Sequence, residues 1–131
     1  MRKLSLIRSF AIAMFCIAGF AEAAEKPVEV VLSPYLNTTL RTMRARVGGS
    51  ERSFLLDTGG GGTFLSKATA DEMRLETYGQ LTGFTHDGRR IDVPKAGPVD
   101  VSVGTFIRRG EVAVLDLTTI LPGPSLGGIL S

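Results

Sequence analysis

The sequence of 131 residues is long enough for one domain with a modest hydrophobic core. Its single cysteine, Cys16, excludes an intrachain disulfide and a metal site built from cysteines. The formal net charge of +2 comes from 15 basic and 13 acidic residues, and the whole of this excess lies in the first 23 residues.

Those first 23 residues predict a secretory signal peptide. Basic residues open the segment, an almost unbroken apolar run covers residues 9–20, and Ala21-Glu22-Ala23 offers small residues at the two positions that a signal peptidase reads. The apolar run is shorter than the about 20 residues that a spanning helix needs. We therefore favour cleavage after Ala23 over a retained N-terminal anchor. Residues 24–131 are then expected to form a periplasmic or secreted domain without a membrane attachment.

Removal of this segment changes the interpretation of the charge. It would take away Arg2, Lys3, Arg8 and Glu22, which leaves 12 basic and 12 acidic residues. The basic character of the whole chain therefore belongs to the export signal. Because nucleic-acid binding requires a surviving basic patch, we expect no nucleic-acid partner.

After the signal segment, short apolar stretches separated by turn residues predict an all-β domain with one short helix. Residues 28–32 predict a first strand, which Ser33-Pro34 would end. Apolar residues alternate with arginines over 43–47, as in a half-buried strand. A turn at 48–50 then leads into the fully apolar strand 54–56, so the two strands form a hairpin.

The chain continues with the same β pattern and the one helix. Residues 63–65 predict a short strand, and Ser66 is the predicted N-cap of a helix over residues 67–75. Two further strands, 80–84 and 89–93, are predicted to pair with each other.

The rest of the domain is predicted to be strand and loop. Asp87-Gly88 is a strong hairpin signal between the two preceding strands, and Pro94 would end the second of them because proline donates no hydrogen bond to a sheet. Alternating residues predict a strand at 99–103, while the apolar stretch 112–115 predicts a strand buried on both faces. Loop residues at 121–124 precede a short apolar ending.

Asp57-Thr58-Gly59 is the most informative motif. The apolar strand 54–56 runs straight into it, and glycines up to Gly62 separate it from the next strand. A carboxylate on a tight turn between buried strands loses solvation, so it needs hydrogen-bond donors or a function. The plainer alternative is a turn aspartate whose side chain caps its own backbone.

The stretch from Met43 to Leu75 resembles the N-terminal half of the retropepsin-like aspartic proteases: a strand, a glycine turn, an apolar strand, Asp-Thr-Gly, then a strand and a helix. Gly128-Ile129-Leu130 is similar to the second landmark of that family, an apolar pair near the catalytic loop that Gly usually follows. The Asp87-Gly88 hairpin stands where these proteases carry a flap over the substrate. The resemblance implies a retropepsin-like half-barrel of strands.

The resemblance also implies an activity, that of an aspartic-type endopeptidase acting on polypeptides. Asp57 would be the catalytic carboxylate, Thr58 would tie two catalytic loops together, and Gly59 would permit the tight turn. Two carboxylates would share one proton and activate a water molecule, so no cofactor and no metal are expected. Because the chain has one such triplet, the second Asp57 would come from a twin chain in a homodimer.

Two positions depart from the family pattern. Gly60 stands where the family commonly has Ala or Ser, and it supplies no hydroxyl. Ser131 replaces the usual Gly, and family members normally continue with a helix and a terminal strand that helps to hold the dimer. Two alternatives therefore stay open: a fragment truncated at its C-terminus, or a variant with a weakened dimer interface.

Other acidic and nucleophilic residues carry simpler interpretations. The remaining aspartates lack a following Ser/Thr-Gly, and we expect each to be a helix, turn or surface-strand residue: Asp71, Asp87, Asp92, Asp100 and Asp116. His86 has no second His and no Cys nearby, so we expect an exposed loop residue rather than a metal ligand.

Two rival functions remain. Residues 57–63 could be read as a phosphate-binding loop similar to that of sugar kinases and actin-like proteins, but that fold needs a much longer chain and export would separate it from cytoplasmic ATP. The stronger rival is a non-catalytic module of the same fold that binds extended peptides or serves assembly.

Overall fold

A computed structural model describes residues 27–85 and 87–131, which form one eight-stranded sheet with a short helix. The strands are β1 (Ser33–Pro34), β2 (Arg41–Val47), β3 (Ser50–Leu56), β4 (Phe64–Ser66), β5 (Thr77–Phe84), β6 (Arg90–Val103), β7 (Phe106–Leu115) and β8 (Gly128–Leu130). Helix α1 spans Lys67–Glu72, and a single 3₁₀ turn spans Leu117–Thr119. The structure therefore confirms the all-β prediction with one short helix.

The strand order β1-β2-β3-β8-β4-β7-β6-β5 places β8, the last strand, next to β3. Strand β8 lies between β3, to which it runs parallel, and β4, to which it runs antiparallel. An additional pairing between β2 and β6 closes the six strands from β2 to β6 around the main core, while β1 and β5 stay at the edges. The C-terminal strand is thereby placed beside the strand that leads into Asp57.

The core occupies both faces of β3. Phe54 belongs to the main cluster inside the closed strands, and Leu55 belongs to a second cluster with Tyr35, Leu117 and Leu126. Successive side chains of a strand point to opposite faces, so the fully apolar stretch 54–56 reflects burial on both sides. Strand β7 shows the same effect, because Val112, Ala113 and Val114 are all buried. Both strand predictions are confirmed.

The predicted first strand is wrong. Residues 28–32 are not in a strand, Val31 is 85% exposed, and β1 comprises only the two residues that were expected to end it. The apolar composition predicted burial but did not reveal where the segment lies. A Cβ added to Gly104 would come within 2.8 Å of Val28, so the segment lies over the turn between β6 and β7 rather than beside a strand.

Pro94 does not end a strand. The predicted strands 89–93 and 99–103 are parts of one strand, β6, that passes through this proline. Pro94 lies opposite Gln80, next to a register shift in β5 between Tyr78 and Gln80. Proline is tolerated at such irregularities because the ladder there does not require its missing N–H group.

Helix α1 begins where the sequence predicts and ends three residues earlier. The backbone N–H of Thr69 donates to the Ser66 hydroxyl at 3.2 Å, which confirms Ser66 as the N-cap. At the other end, Arg74 adopts the left-handed conformation with φ at 54°, and Leu75 N–H donates to the Ala70 carbonyl at 3.0 Å. This is a Schellman motif. It was not anticipated because its left-handed residue is an arginine instead of the usual glycine.

Two of the predictions concern residues outside the described part of the chain. The signal segment, including Cys16, lies within residues 1–26, and His86 is also outside the described residues. Within 27–85 and 87–131, no helix has the length and apolar character needed to cross a membrane.

Candidate active site

Asp57 stands at the first position after β3, where the neighbouring strand fixes its backbone. Its N–H group donates to the Leu130 carbonyl of β8 at 2.8 Å, so the parallel pairing of β3 with β8 extends one residue beyond β3. The side chain itself is exposed. The fold therefore holds the main chain of Asp57 firmly while leaving its carboxylate available to solvent.

The carboxylate is oriented by its own turn. Asp57 Oδ1 accepts a hydrogen bond from Gly59 N–H at 3.0 Å, and Gly60 N–H donates to the Asp57 carbonyl at 3.3 Å. Thr58 and Gly59 are exposed alongside it. The plainer alternative, an aspartate capping its own turn, thus describes the Oδ1 contact correctly. Oδ2 accepts no hydrogen bond from the described residues, so one carboxylate oxygen remains free for chemistry.

The other aspartates are engaged elsewhere. Asp71 pairs with Lys67 within α1 at 2.9 Å, and Asp92 and Asp100 of β6 pair with Arg90 and Arg109. Asp87 pairs with Arg89 in the hairpin turn, and Asp116 caps the 3₁₀ turn by accepting from Thr118 N–H. The structure confirms that these are helix, turn and surface-strand residues. In the described chain, none of them forms a second carboxylate beside Asp57.

The hairpin of β5 and β6 ends in a tip with its own hydrogen bonds. Thr85 N–H donates to the Arg89 carbonyl at 2.9 Å, and Gly88 N–H donates to the Thr85 carbonyl at 2.8 Å. The Thr85 hydroxyl and the Arg89 guanidinium both donate to the Asp87 carboxylate, and these contacts hold the pKa of Asp87 below its usual value. The predicted turn is confirmed, and its conformation is fixed by its own side chains.

The strand that leads to this tip is exposed to an unusual degree. Every residue of β5 except Gly83 is exposed, and Phe84 is 72% exposed just before the turn. An aromatic side chain left in solvent at the end of a hairpin is available to another molecule.

As to metals, no group of three or more His, Cys, Asp or Glu side chains in the described residues could hold an ion.

The site is thus a carboxylate on a glycine turn, which β3 and β8 support. The exposed β5–β6 hairpin belongs to the same sheet. The model of a family described as aspartyl protease matches residues 43–131, about two thirds of the chain. The chain belongs to the aspartyl protease family. It has the retropepsin-like character that Asp57-Thr58-Gly59 and the closing apolar pair indicated. No curated protein matches the chain.

The match begins within β2 of this aspartyl protease and covers every strand from β3 to β8, so it includes both the aspartate turn and the C-terminal strand. The sequence predicted the Asp57-Thr58-Gly59 turn from local pattern alone. It did not predict two contacts at the end of β8: the Leu130 carbonyl accepts from Asp57 N–H, and the hydroxyl of Ser131, the next residue, donates to the Gly62 carbonyl at 3.0 Å. The feature of the sequence that pointed to the Ser131 contact was the departure of Ser131 from the family pattern.

Proposed function

We propose that this protein is an aspartic endopeptidase that acts as a homodimer, with one Asp57 from each copy. The observation that carries the proposal is the free, exposed carboxylate of Asp57 in a member of the aspartyl protease family. A second carboxylate is needed for the reaction, and the other described aspartates are held in ion pairs or caps. A second copy related by two-fold symmetry is the simplest source.

In the proposed reaction, the two carboxylates share one proton, because like charges about 3 Å apart are not both retained. The ionised carboxylate takes a proton from a water molecule as that water attacks the peptide carbonyl carbon. The protonated carboxyl donates to the carbonyl oxygen, which gives a tetrahedral diol. As the diol collapses, the carboxyl that took the proton from water gives it to the leaving amine, the other carboxylate takes a proton from a diol hydroxyl, and the C–N bond breaks. No covalent bond to the enzyme forms.

The turn residues suit this role. Gly59 N–H donates to Oδ1, which orients the carboxylate before substrate arrives. We assign to Thr58 the contact between the two catalytic loops of the dimer, since its side chain is exposed beside Asp57. The β5–β6 hairpin would close over the substrate as a flap, with Phe84 contacting the bound polypeptide.

The proposed activity belongs to an exported protein. Cleavage after Ala23 would release the domain into the periplasm or the medium. N-terminal sequencing of the protein recovered from those fractions should begin at Ala24. Recovery of the uncleaved chain in the membrane fraction would instead indicate a retained anchor.

The decisive experiment is cleavage of a mixed peptide library by the purified protein and by Asp57→Asn, from acid to neutral pH. Asp100→Asn is the matched control, because it changes an exposed aspartate of β6 that pairs with Arg109 of β7. We expect the control to retain cleavage and Asp57→Asn to lose at least about a thousandfold. A folded protein that cleaves nothing but binds extended peptides would instead favour the non-catalytic module.

A further inference from the structure

The side chain of Ser131 occupies the space directly above Gly60. A Cβ built on Gly60 would lie 2.1 Å from Ser131 Oγ, closer than such atoms approach in proteins, and 3.1 Å from Ser131 Cβ, which is a tight contact. The same point is 3.0 Å from Asp57 Oδ2. Ser131 therefore fills, from the end of β8, the position beside the free carboxylate oxygen that a side chain at residue 60 would otherwise take.

The hydroxyl of Ser131 also braces the glycine turn. It donates to the Gly62 carbonyl at 3.0 Å, across 69 positions of the sequence. Gly59 to Gly62 has no side chains with which to hold its own shape, and glycine has more backbone freedom than any other residue. One residue earlier, the Leu130 carbonyl receives Asp57 N–H. The end of β8 therefore holds the turn on both sides of the carboxylate.

We propose that Ser131 is a positioning residue for the Asp57 carboxylate, and that Gly60 and Ser131 form a reciprocal pair in which the small residue on the turn makes room for the hydroxyl of the residue after β8. This proposal rests on the proposed function. This chain carries no side chain at residue 60 and a hydroxyl at residue 131. The side chain beside Oδ2 thus comes from the residue that follows β8 and not from the turn.

If the two residues form a reciprocal pair, Ser131→Gly should restore part of the kcat that Gly60→Ala loses. A residue with a merely structural role would not give this rescue. Gly60→Ala alone forces a Cβ onto Ser131 Oγ and should displace the turn, with a loss of kcat of about a hundredfold. Ser131→Gly alone removes the brace and should lower kcat about tenfold with little change in KM. The double variant Gly60→Ala/Ser131→Gly relieves the overlap, and its kcat should exceed that of Gly60→Ala by about tenfold.

Two further variants test the hydroxyl and exclude a general effect of substitution. Ser131→Thr keeps the hydroxyl and should retain most of kcat, whereas Ser131→Ala should resemble Ser131→Gly. Gly61→Ala is the matched control on the turn, because a Cβ there meets no atom within 4 Å. Thermal unfolding of every variant checks that the protein is folded at the assay temperature.

The outcomes separate this proposal from the proposed function. If the unsubstituted protein shows Asp57-dependent cleavage and the effects of Gly60→Ala and Ser131→Gly simply multiply in the double variant, the positioning role is overturned and the protease stands. Equal activity of Ser131→Ala and the unsubstituted protein would also overturn it. If the unsubstituted protein cleaves nothing, the proposed function fails and the positioning role fails with it.

Discussion

At the scale of single residues, the molecule combines a rigid backbone with exposed functional side chains. Asp57 is held through its N–H by Leu130 and through Oδ1 by Gly59, yet its carboxylate faces solvent. Phe84 has a comparable arrangement, since it lies on a paired strand and is 72% exposed. Residues of this kind contribute little to folding, so their substitution separates function from stability.

Phe84→Ala is therefore expected to raise KM several-fold and to leave the free energy of unfolding within about 0.5 kcal/mol of the original value. The reason is that the ring contributes apolar contact to a bound polypeptide and buries little surface within its own chain. Steady-state kinetics and urea unfolding measure the two quantities. Phe106→Ala is the control, because this residue is 57% exposed at the start of β7. Equal effects of the two substitutions on KM would contradict a substrate contact at Phe84.

At the scale of elements, β8 is enclosed between β3 and β4. Gly128 lies opposite Phe54 of β3 and Leu65 of β4, and a Cβ at this position would be 2.0 Å from the Phe64 carbonyl oxygen and 2.7 Å from the Phe54 ring. The obstruction is backbone, which cannot rotate away. The strand can enter between its neighbours only with glycine at this position.

Gly128→Ala should consequently destabilise the fold by about 3 kcal/mol or more, at the upper end of overpacking effects. Urea unfolding gives the change in free energy. Gly61→Ala offers a matched control, since a Cβ there meets nothing within 4 Å, and it should stay within about 0.5 kcal/mol of the parent. A similar stability for both variants would mean that β8 does not insert between β3 and β4 as described.

The base of the hairpin is held across β6 by a contact between β5 and β7. The Tyr78 hydroxyl donates to the Glu111 carboxylate, and Lys95 of β6 donates to the same carboxylate at 3.2 Å while lying 5.0 Å from the Tyr78 ring. The contact with Tyr78, together with Lys95, lowers the pKa of Glu111 below 4.5, and the bond to Glu111 raises the pKa of Tyr78 above 10.0.

These two shifts define a pH window. The lowered pKa of Glu111 contributes stability above pH 4.5, and this stability is lost as the pH falls through the pKa of the folded state. The raised pKa of Tyr78 contributes stability below pH 10.0, and this stability is lost as the pH rises through the pKa of the folded state. Tyr78→Phe should thus destabilise the protein at neutral pH and lose its effect at both extremes. Urea unfolding at several pH values tests this. A constant difference from acid to alkali would contradict the bond.

How far the sequence predicts the structure depends on whether the cause is local. The Asp57-Thr58-Gly59 turn, the Ser66 cap and the Asp87-Gly88 hairpin follow from neighbouring residues, and all three were predicted. Strand β6 was divided at Pro94 because the shift in its partner β5 is not visible in the sequence of β6 itself.

Contacts between distant residues were the other limit of prediction. Gly60 and Ser131 were each recognised as departures from the family pattern, but only the fold brings them together. The same holds for the short helix α1, whose end depends on the Schellman motif at Arg74 and on the packing of Leu75 against the core.

At the scale of the whole molecule, the proposed site is half of a symmetric pair, and this makes the activity sensitive to mixing of subunits. In a dimer that exchanges freely, a subunit carrying Asp57→Asn combines with unsubstituted subunits and deprives them of the second carboxylate. Equal amounts of the two proteins at constant total concentration should then give about a quarter of the original activity, because only pairs of two unsubstituted chains are competent.

The alternative outcome has an equally definite value. If the protein cleaves as a monomer, activity falls in direct proportion to the fraction of unsubstituted chains. The same mixture would then retain about half of the original activity. Asp100→Asn in place of Asp57→Asn should leave full activity in any proportion, since Asp100 of β6 pairs with Arg109 of β7 on the protein surface. Sedimentation velocity over the same concentrations shows whether the subunits associate. Half activity from a mixture that was unfolded and refolded together, so that its subunits paired at random, and that sediments as a dimer would mean that each Asp57 works independently; the shared-proton mechanism would then be wrong.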